Sequence, residues 1–213
     1  MKDVSIDDLK KNLPLVSNKS KEKSEIIIED TIFGKDYFTV IAGPCTVENK
    51  NQIIHIAGEV KKRGAKMLRG GAFKPLTFPY RSDSFFELKE EGLIFLNEAK
   101  KIHKIPVVTE LMDIKYLDMV LKSSDMIQIG SRNMQNFALL EEVAKSKHPV
   151  LLKRHFGCSL RDWLGAAEYL MFNGNFKIVL CERGIVAPHT HKKNSRFIVD
   201  LQVILAAKEI TNI

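Results

Sequence analysis

Short apolar runs alternating with amphipathic stretches constrain this chain more than any other feature. The runs are Phe38–Ala42, Met67-Leu68, Val107-Val108, Met126–Ile129, Val150–Leu152 and Ile178–Leu180. Between them, apolar residues recur at i, i+3 and i+4 over about 50–63, 86–103, 114–122, 136–146 and 159–172, with a last stretch near 196–210. A run that is apolar on both faces belongs in a sheet covered on both sides. Strand–helix alternation then gives parallel strands joined by crossover helices. Local chemistry agrees: Gly64 stands where a left-handed helix C-cap belongs, and Asp113 and Ser159 stand where an N-cap oxygen is needed. Six such units at roughly 30 residues each match the size of a βα repeat. Ahead of them, Ile26–Ile28 and Tyr37–Val40 read as a short hairpin turning at Gly34-Lys35-Asp36.

Composition narrows the class. No apolar stretch of the 213 residues approaches the ~18–20 needed to span a membrane, so no membrane partner is expected. The N-terminus has acids early and no apolar h-region, which argues against a secretory signal, and an odd set of three cysteines points to a reducing cytoplasm. The net charge of +7 comes from lysines spread along the chain without interleaved aromatics, so nucleic acid is not an expected partner either. Residues 1–24 read as a polar lead-in without a core-forming pattern, and residues 25–213 as one barrel or sheet domain.

In parallel α/β folds, ligands bind at the C-terminal ends of the strands. The residues there are Gly43-Pro44-Cys45, then Arg69-Gly70-Gly71-Ala72-Phe73-Lys74, Thr109-Glu110, Gly130-Ser131-Arg132, Lys153-Arg154 and Cys181-Glu182-Arg183. If the strands curl into a barrel, Arg69, Lys74, Arg132, Lys153 and Arg183 share one mouth. So many cations in one cleft repel unless an anion neutralises them, which points to a phosphorylated ligand. Pairing of single arginines with Glu48, Glu110 or Glu182 is the alternative. Cys45 at the same mouth reads as a metal ligand, a nucleophile or a small buried side chain. His189 and His191 are candidate metal ligands, or exposed loop residues. Gly70-Gly71 permits close backbone approach to a ligand, but no dinucleotide or P-loop fingerprint is present.

The segments Ile41-Ala-Gly-Pro-Cys-Thr-Val-Glu48, Leu68-Arg-Gly-Gly-Ala-Phe-Lys-Pro75, Val107-Val-Thr-Glu-Leu-Met-Asp113, Gln128-Ile-Gly-Ser-Arg-Asn-Met-Gln-Asn-Phe137, Leu151-Leu-Lys-Arg154 and Leu180-Cys-Glu-Arg-Gly-Ile185 together resemble the class I 3-deoxy-7-phosphoheptulonate (DAHP) synthase family. The resemblance runs from about residue 25 to 205. It implies a TIM-type (β/α)8 barrel and an aldol-like condensation of phosphoenolpyruvate with erythrose 4-phosphate, the first step of the shikimate pathway to aromatic amino acids. By position it implies that Arg69, Lys74, Arg132, Lys153 and Arg183 hold phosphoenolpyruvate, with Lys74, Glu110, Arg132 and Lys153 at the reacting centre. It also makes Cys45 a ligand of a divalent metal (Mn, Zn, Fe or Co).

The pattern departs from the family at Leu76, where the family has an arginine on the sugar phosphate, and at His155, where it usually has glycine. The family's later metal ligands come from a seventh and an eighth unit, and the expectation is a barrel of about six βα units, short at its C-terminal side and associating as a homo-oligomer. Four readings stand: a DAHP synthase; a relative that binds phosphoenolpyruvate or serves as a non-catalytic subunit; a variant that builds its metal site from Cys45, His189 and His191; and an enzyme like the sister 3-deoxy-octulosonate 8-phosphate synthases.

Overall fold

A computed structural model describes residues 6–17, 24–34, 36–74, 87–186 and 197–213. In chain order the elements are α1 (Ile6–Asn12), β1 (Ile26–Ile28), β2 (Thr31–Phe33), β3 (Ile41–Ala42), α2 (Lys50–Lys62), β4 (Met67–Arg69), α3 (Glu90–His103), β5 (Val107–Glu110), α4 (Leu117–Ser123), β6 (Met126–Ile129), α5 (Phe137–Lys145), β7 (Val150–Lys153), α6 (Leu160–Phe172), β8 (Ile178–Cys181), β9 (Ile185–Val186), β10 (Phe197–Ile198) and α7 (Leu201–Ile210). The main sheet has the order β3-β4-β5-β6-β7-β8, which is the chain order, and β3–β4, β4–β5 and β5–β6 pair in parallel. These are six consecutive βα units of a (β/α)8-type barrel, as the alternation predicts. No helix among the described residues is long and apolar enough to cross a membrane.

The chain divides into two compact units, one formed by residues 25–129 with 148–150, the other by the lead-in with 130–147 and 151–213. In the first, Met67, Leu68, Val107, Val108, Met126 and Ile127 are buried along the strands, and Ile53, Leu93 and Leu96 cover them from α2 and α3. Asn49 caps α2 by accepting from the Gln52 amide at 2.8 Å, and Gly64 follows it at φ +92°, the left-handed cap that its position implies. Asp125 ties the start of β5 to the end of α3, accepting from the Val107 amide at 2.8 Å and the Lys100 ammonium at 2.5 Å.

The hairpin forms, but with a different second strand. Ile26–Ile28 pairs with Thr31–Phe33 and not with Tyr37–Val40. A turn at Glu29-Asp30 closes the shortest possible loop, so the nearer partner wins on chain entropy. Phe38 is left 96% exposed, and only Ile41–Ala42 of that apolar run joins the main sheet.

In the second unit, Ser159 forms the capping box of α6 with Asp162. Trp163 is buried on that helix and donates its indole N–H to the Leu152 carbonyl at 3.2 Å. The lead-in is more structured than its polarity suggests. Leu9, Leu13 and Val16 recur at helical spacing and are buried, and Glu168 of α6 accepts from the amides of Leu15 at 3.0 Å and Val16 at 2.8 Å. The apolar stripe is present in the sequence; Lys10, Lys11 and Pro14 between its members hide it.

Candidate active site at the strand ends

In the first unit the loop after β3 lies against the loop after β4. The Val47 amide donates to the Gly71 carbonyl at 3.0 Å, and a Cβ on Gly71 would stand 2.6 Å from the Cys45 carbonyl oxygen. The close approach that glycine permits here is taken up by the protein's own backbone. Its consequence is to set Cys45, Arg69 and Lys74 together. Lys74 donates from Nζ to the Cys45 sulfur, and Arg69 donates from Nη1 to the Pro44 carbonyl at 3.4 Å. The Lys74 backbone is fixed as well, its amide donating to Glu87 at 2.7 Å.

Cys45 is exposed, yet its neighbours crowd the sulfur enough for desolvation to push the thiol upward. The hydrogen bond and charge of Lys74, with the charge of Arg69, outweigh that effect, and the thiol titrates below its ordinary value of 9.0. These loops therefore present a thiolate-prone sulfur between two cations.

Glu110 ends β5 directly across from Gln128 on β6, and the Gln128 carboxamide donates to the Glu110 carboxylate at 2.8 Å. Its neighbour Thr109 is buried and braces the loop after β4, donating to the Gly70 carbonyl at 2.7 Å. Alternation along one strand thus gives adjacent residues different tasks: Thr109 holds the backbone, and Glu110 carries a carboxylate oriented by an amide.

In the second unit Arg132 lies exposed on the short 3-10 turn Ser131–Asn133, and Lys153 ends β7 half-buried. The next residue, Arg154, is buried at 6% exposure. Its Nη1 donates to Glu182 at 3.0 Å and Asp200 at 2.9 Å, and its Nη2 donates to the Cys158 carbonyl at 2.9 Å. Burial works against the charge of Arg154, but its two carboxylate partners outweigh it and raise its pKa above the ordinary value. Arg183 lies with its guanidinium 3.7 Å from the ring centre of Phe197 and 5.8 Å from that of Phe156.

The candidates Cys45, Arg69 and Lys74 are thus brought together, Glu110 is placed on a neighbouring strand end, Arg132 follows β6, Lys153 ends β7 and Arg183 follows β8. His189, His191 and Leu76 lie outside the described residues. Cys158 is half-buried, and desolvation pushes its thiol up. No three histidine, cysteine or acidic side chains among the described residues are grouped to hold a metal ion. Sequence reasoning passes over Arg154, Gln128 and Asp200. One signal is available: Arg154 and Glu182 each follow the last residue of adjacent parallel strands, β7 and β8, so opposite charges fall at the same offset.

Comparison with known proteins agrees with this arrangement. A sequence model of the DAHP synthetase I family matches residues 15–213. Phospho-2-dehydro-3-deoxyheptonate aldolase of Thermotoga maritima is 43% identical over 183 residues, covering 86% of this chain and 52% of that protein. A crystal structure of the Thermotoga maritima DAHP synthase superposes with a TM-score of 0.84 at 40% identity, over 93% of this chain and 56% of that one. The 2-dehydro-3-deoxyphosphooctonate aldolase of Syntrophobacter fumaroxidans is 28% identical over 155 residues, covering 71% of this chain and 54% of that protein. The chain spans about half the length of these curated relatives. With the family match running from the docked lead-in through α7 and across every strand end described above, this chain belongs to the DAHP synthetase I family.

Proposed function

We propose that this chain carries the phosphoenolpyruvate-binding part of a 3-deoxy-7-phosphoheptulonate synthase. The reaction joins C3 of phosphoenolpyruvate to the aldehyde carbon of erythrose 4-phosphate, takes up water and releases phosphate to give 3-deoxy-D-arabino-heptulosonate 7-phosphate. The observation that carries this reading is the row of cations at the strand ends, with Lys74 and Arg69 set beside Cys45 by the approach of two loops. Phosphoenolpyruvate is a compact trianion. Arg69, Lys74, Arg132, Lys153 and Arg183 neutralise its phosphate and carboxylate, and fixing both ends orients the enol carbon toward the acceptor. Glu110, held by Gln128, orients the water or the acceptor hydroxyls.

The resemblance implies a divalent metal, Mn, Zn, Fe or Co, with Cys45 as one ligand. A catalytic metal site uses about three protein ligands, and no three such side chains are grouped among the described residues. A second reading is a relative that retains the phosphoenolpyruvate clamp and lacks turnover of its own. Cytoplasmic placement is supported by the free thiols of Cys45, Cys158 and Cys181. Self-association is supported by Leu201 and Leu205, exposed on α7.

Phosphate release from both substrates, with Mn²⁺ or Zn²⁺ added, separates the two readings when phosphoenolpyruvate binding is measured alongside. Turnover that is lost in Glu110→Ala supports the synthase. Binding without turnover supports the clamp alone, and absence of both overturns the assignment.

A further inference from the structure

One buried charge in the second unit, Arg154, is not among the residues assigned to substrate. Arg154 joins Glu182, directly after β8, to Asp200, directly before α7. The described residues 182–186 and 197–200 form a short excursion in which β9 pairs with β10, and Arg154 ties its two ends together. The excursion carries both Arg183 and the ring on which Arg183 stacks, Phe197.

The bonding around Arg183 is tight on each side. Glu182 uses its second carboxylate oxygen to accept from the Gly184 amide at 2.5 Å. Gly184 has φ +90°, and a Cβ there would stand 2.9 Å from Cβ of Phe197 and 3.0 Å from the Ile198 carbonyl oxygen. Only glycine fits this backbone against β10. Asp200 likewise divides its oxygens, one accepting from Arg154 and the other capping α7 through the Val203 amide at 3.1 Å.

The net stability from such a cluster is smaller than its ion pairs suggest. Side-chain exposures of 8% for Arg154 and 4% for Glu182 mean that desolvation consumes most of the Coulomb gain. The Arg154 Nε is also buried with no hydrogen-bond partner. What the cluster delivers is geometry, because a planar guanidinium fork can hold two carboxylates and a carbonyl at fixed angles, whereas an ammonium is a point charge.

We propose that Arg154 is a positioning residue for Arg183: by holding Glu182 and Asp200 at the base of this β9–β10 excursion, it fixes the Arg183 guanidinium against Phe197 in the place where it meets the anionic substrate. The inference rests on the reading that Arg183 belongs to the phosphoenolpyruvate clamp.

The test pairs two measurements on the full chain. Phosphoenolpyruvate affinity is measured by calorimetry for wild type, Arg154→Gln, Arg183→Gln and the double variant. Amide hydrogen exchange is measured without ligand over residues 182–186 and 197–203, with α5 as control. Arg154→Gln is expected to weaken binding roughly tenfold, about the 1.4 kcal/mol of one charge-assisted hydrogen bond. In the Arg183→Gln background the same change is expected to have little further effect. Exchange is expected to rise in the two excursion peptides and not in α5.

Additive losses, wild-type affinity in Arg154→Gln, or exchange that rises equally in α5 would overturn the proposal. If Arg154→Gln does not fold, Arg154→Lys and Asp200→Asn replace it. The first keeps the charge without the fork, the second keeps the α7 cap without the ion pair, and the same two outcomes decide. If the wild type binds no phosphoenolpyruvate, the functional reading fails separately. The positioning claim is then judged by exchange alone: a rise confined to the excursion supports it, and no rise overturns it.

Discussion

The Lys74 ammonium donates to the Cys45 sulfur, so the one exposed cysteine of the chain is held beside a fixed positive charge. Because the resulting shift is downward from 9.0, the fraction of thiolate at neutral pH is larger than for an ordinary cysteine. Cys158 shifts the other way through desolvation. Iodoacetamide at neutral pH is therefore expected to label Cys45 well ahead of Cys158, as read by peptide mass spectrometry. In Lys74→Met the pH profile of Cys45 labelling moves upward. Equal labelling of both cysteines contradicts this electrostatic account.

Gly71 is where that arrangement is most easily broken. A Cβ 2.6 Å from the Cys45 carbonyl has only backbone to push against. Gly71→Ala is expected to cost about 1–3 kcal/mol of stability by urea denaturation, a range typical of overpacking, and to slow Cys45 labelling as the loops separate.

The lead-in is expected to detach when its acceptor is removed. Glu168→Ala leaves the Leu15 and Val16 amides without their carboxylate, a loss of about 1–3 kcal/mol for partly buried donors. Limited proteolysis within residues 6–17 is expected to accelerate in that variant, with the rest of the chain cut as before. Unchanged cleavage would show that Leu9, Leu13 and Val16 alone hold the segment.

The Asp200 carboxylate contributes to acid sensitivity. The hydrogen bond from Arg154, helped by the Val203 amide, holds the Asp200 carboxyl below its ordinary value of 3.8. A depressed carboxyl contributes stability that is complete above its unfolded pKa and is lost as pH falls through the folded value, so the contribution is present at neutral pH and fades below about pH 4. Asp200→Asn is expected to lower the denaturation midpoint at neutral pH and to flatten the acid limb of midpoint against pH.

How far these features can be read from the residues depends on how local their causes are. The βα rhythm is legible because buried parallel strands announce themselves as apolar runs, and Gly64, Asp113 and Ser159 act through bonds to residues a few positions away. Cys45, Arg69, Lys74 and Glu110 are legible as strand-end residues, since the strand-end rule requires no knowledge of packing. Arg154 is not. Lys153 and Arg154 look alike in sequence, and only the burial of the second, with Glu182 and Asp200 from distant segments, separates a binding charge from a structural one. The hairpin partner is misread for a related reason: Tyr37–Val40 has strand-like composition, but a tighter turn brings Thr31–Phe33 to Ile26–Ile28 first.

Titration calorimetry of phosphoenolpyruvate into the whole chain decides whether the strand-end cations form its clamp. The expected result is saturable binding that weakens at least tenfold in Lys74→Ala and in Lys153→Ala, each tenfold step being about 1.4 kcal/mol, while both variants keep the wild-type circular dichroism spectrum. No binding by the folded wild-type chain, or binding that survives both substitutions unchanged, would contradict it.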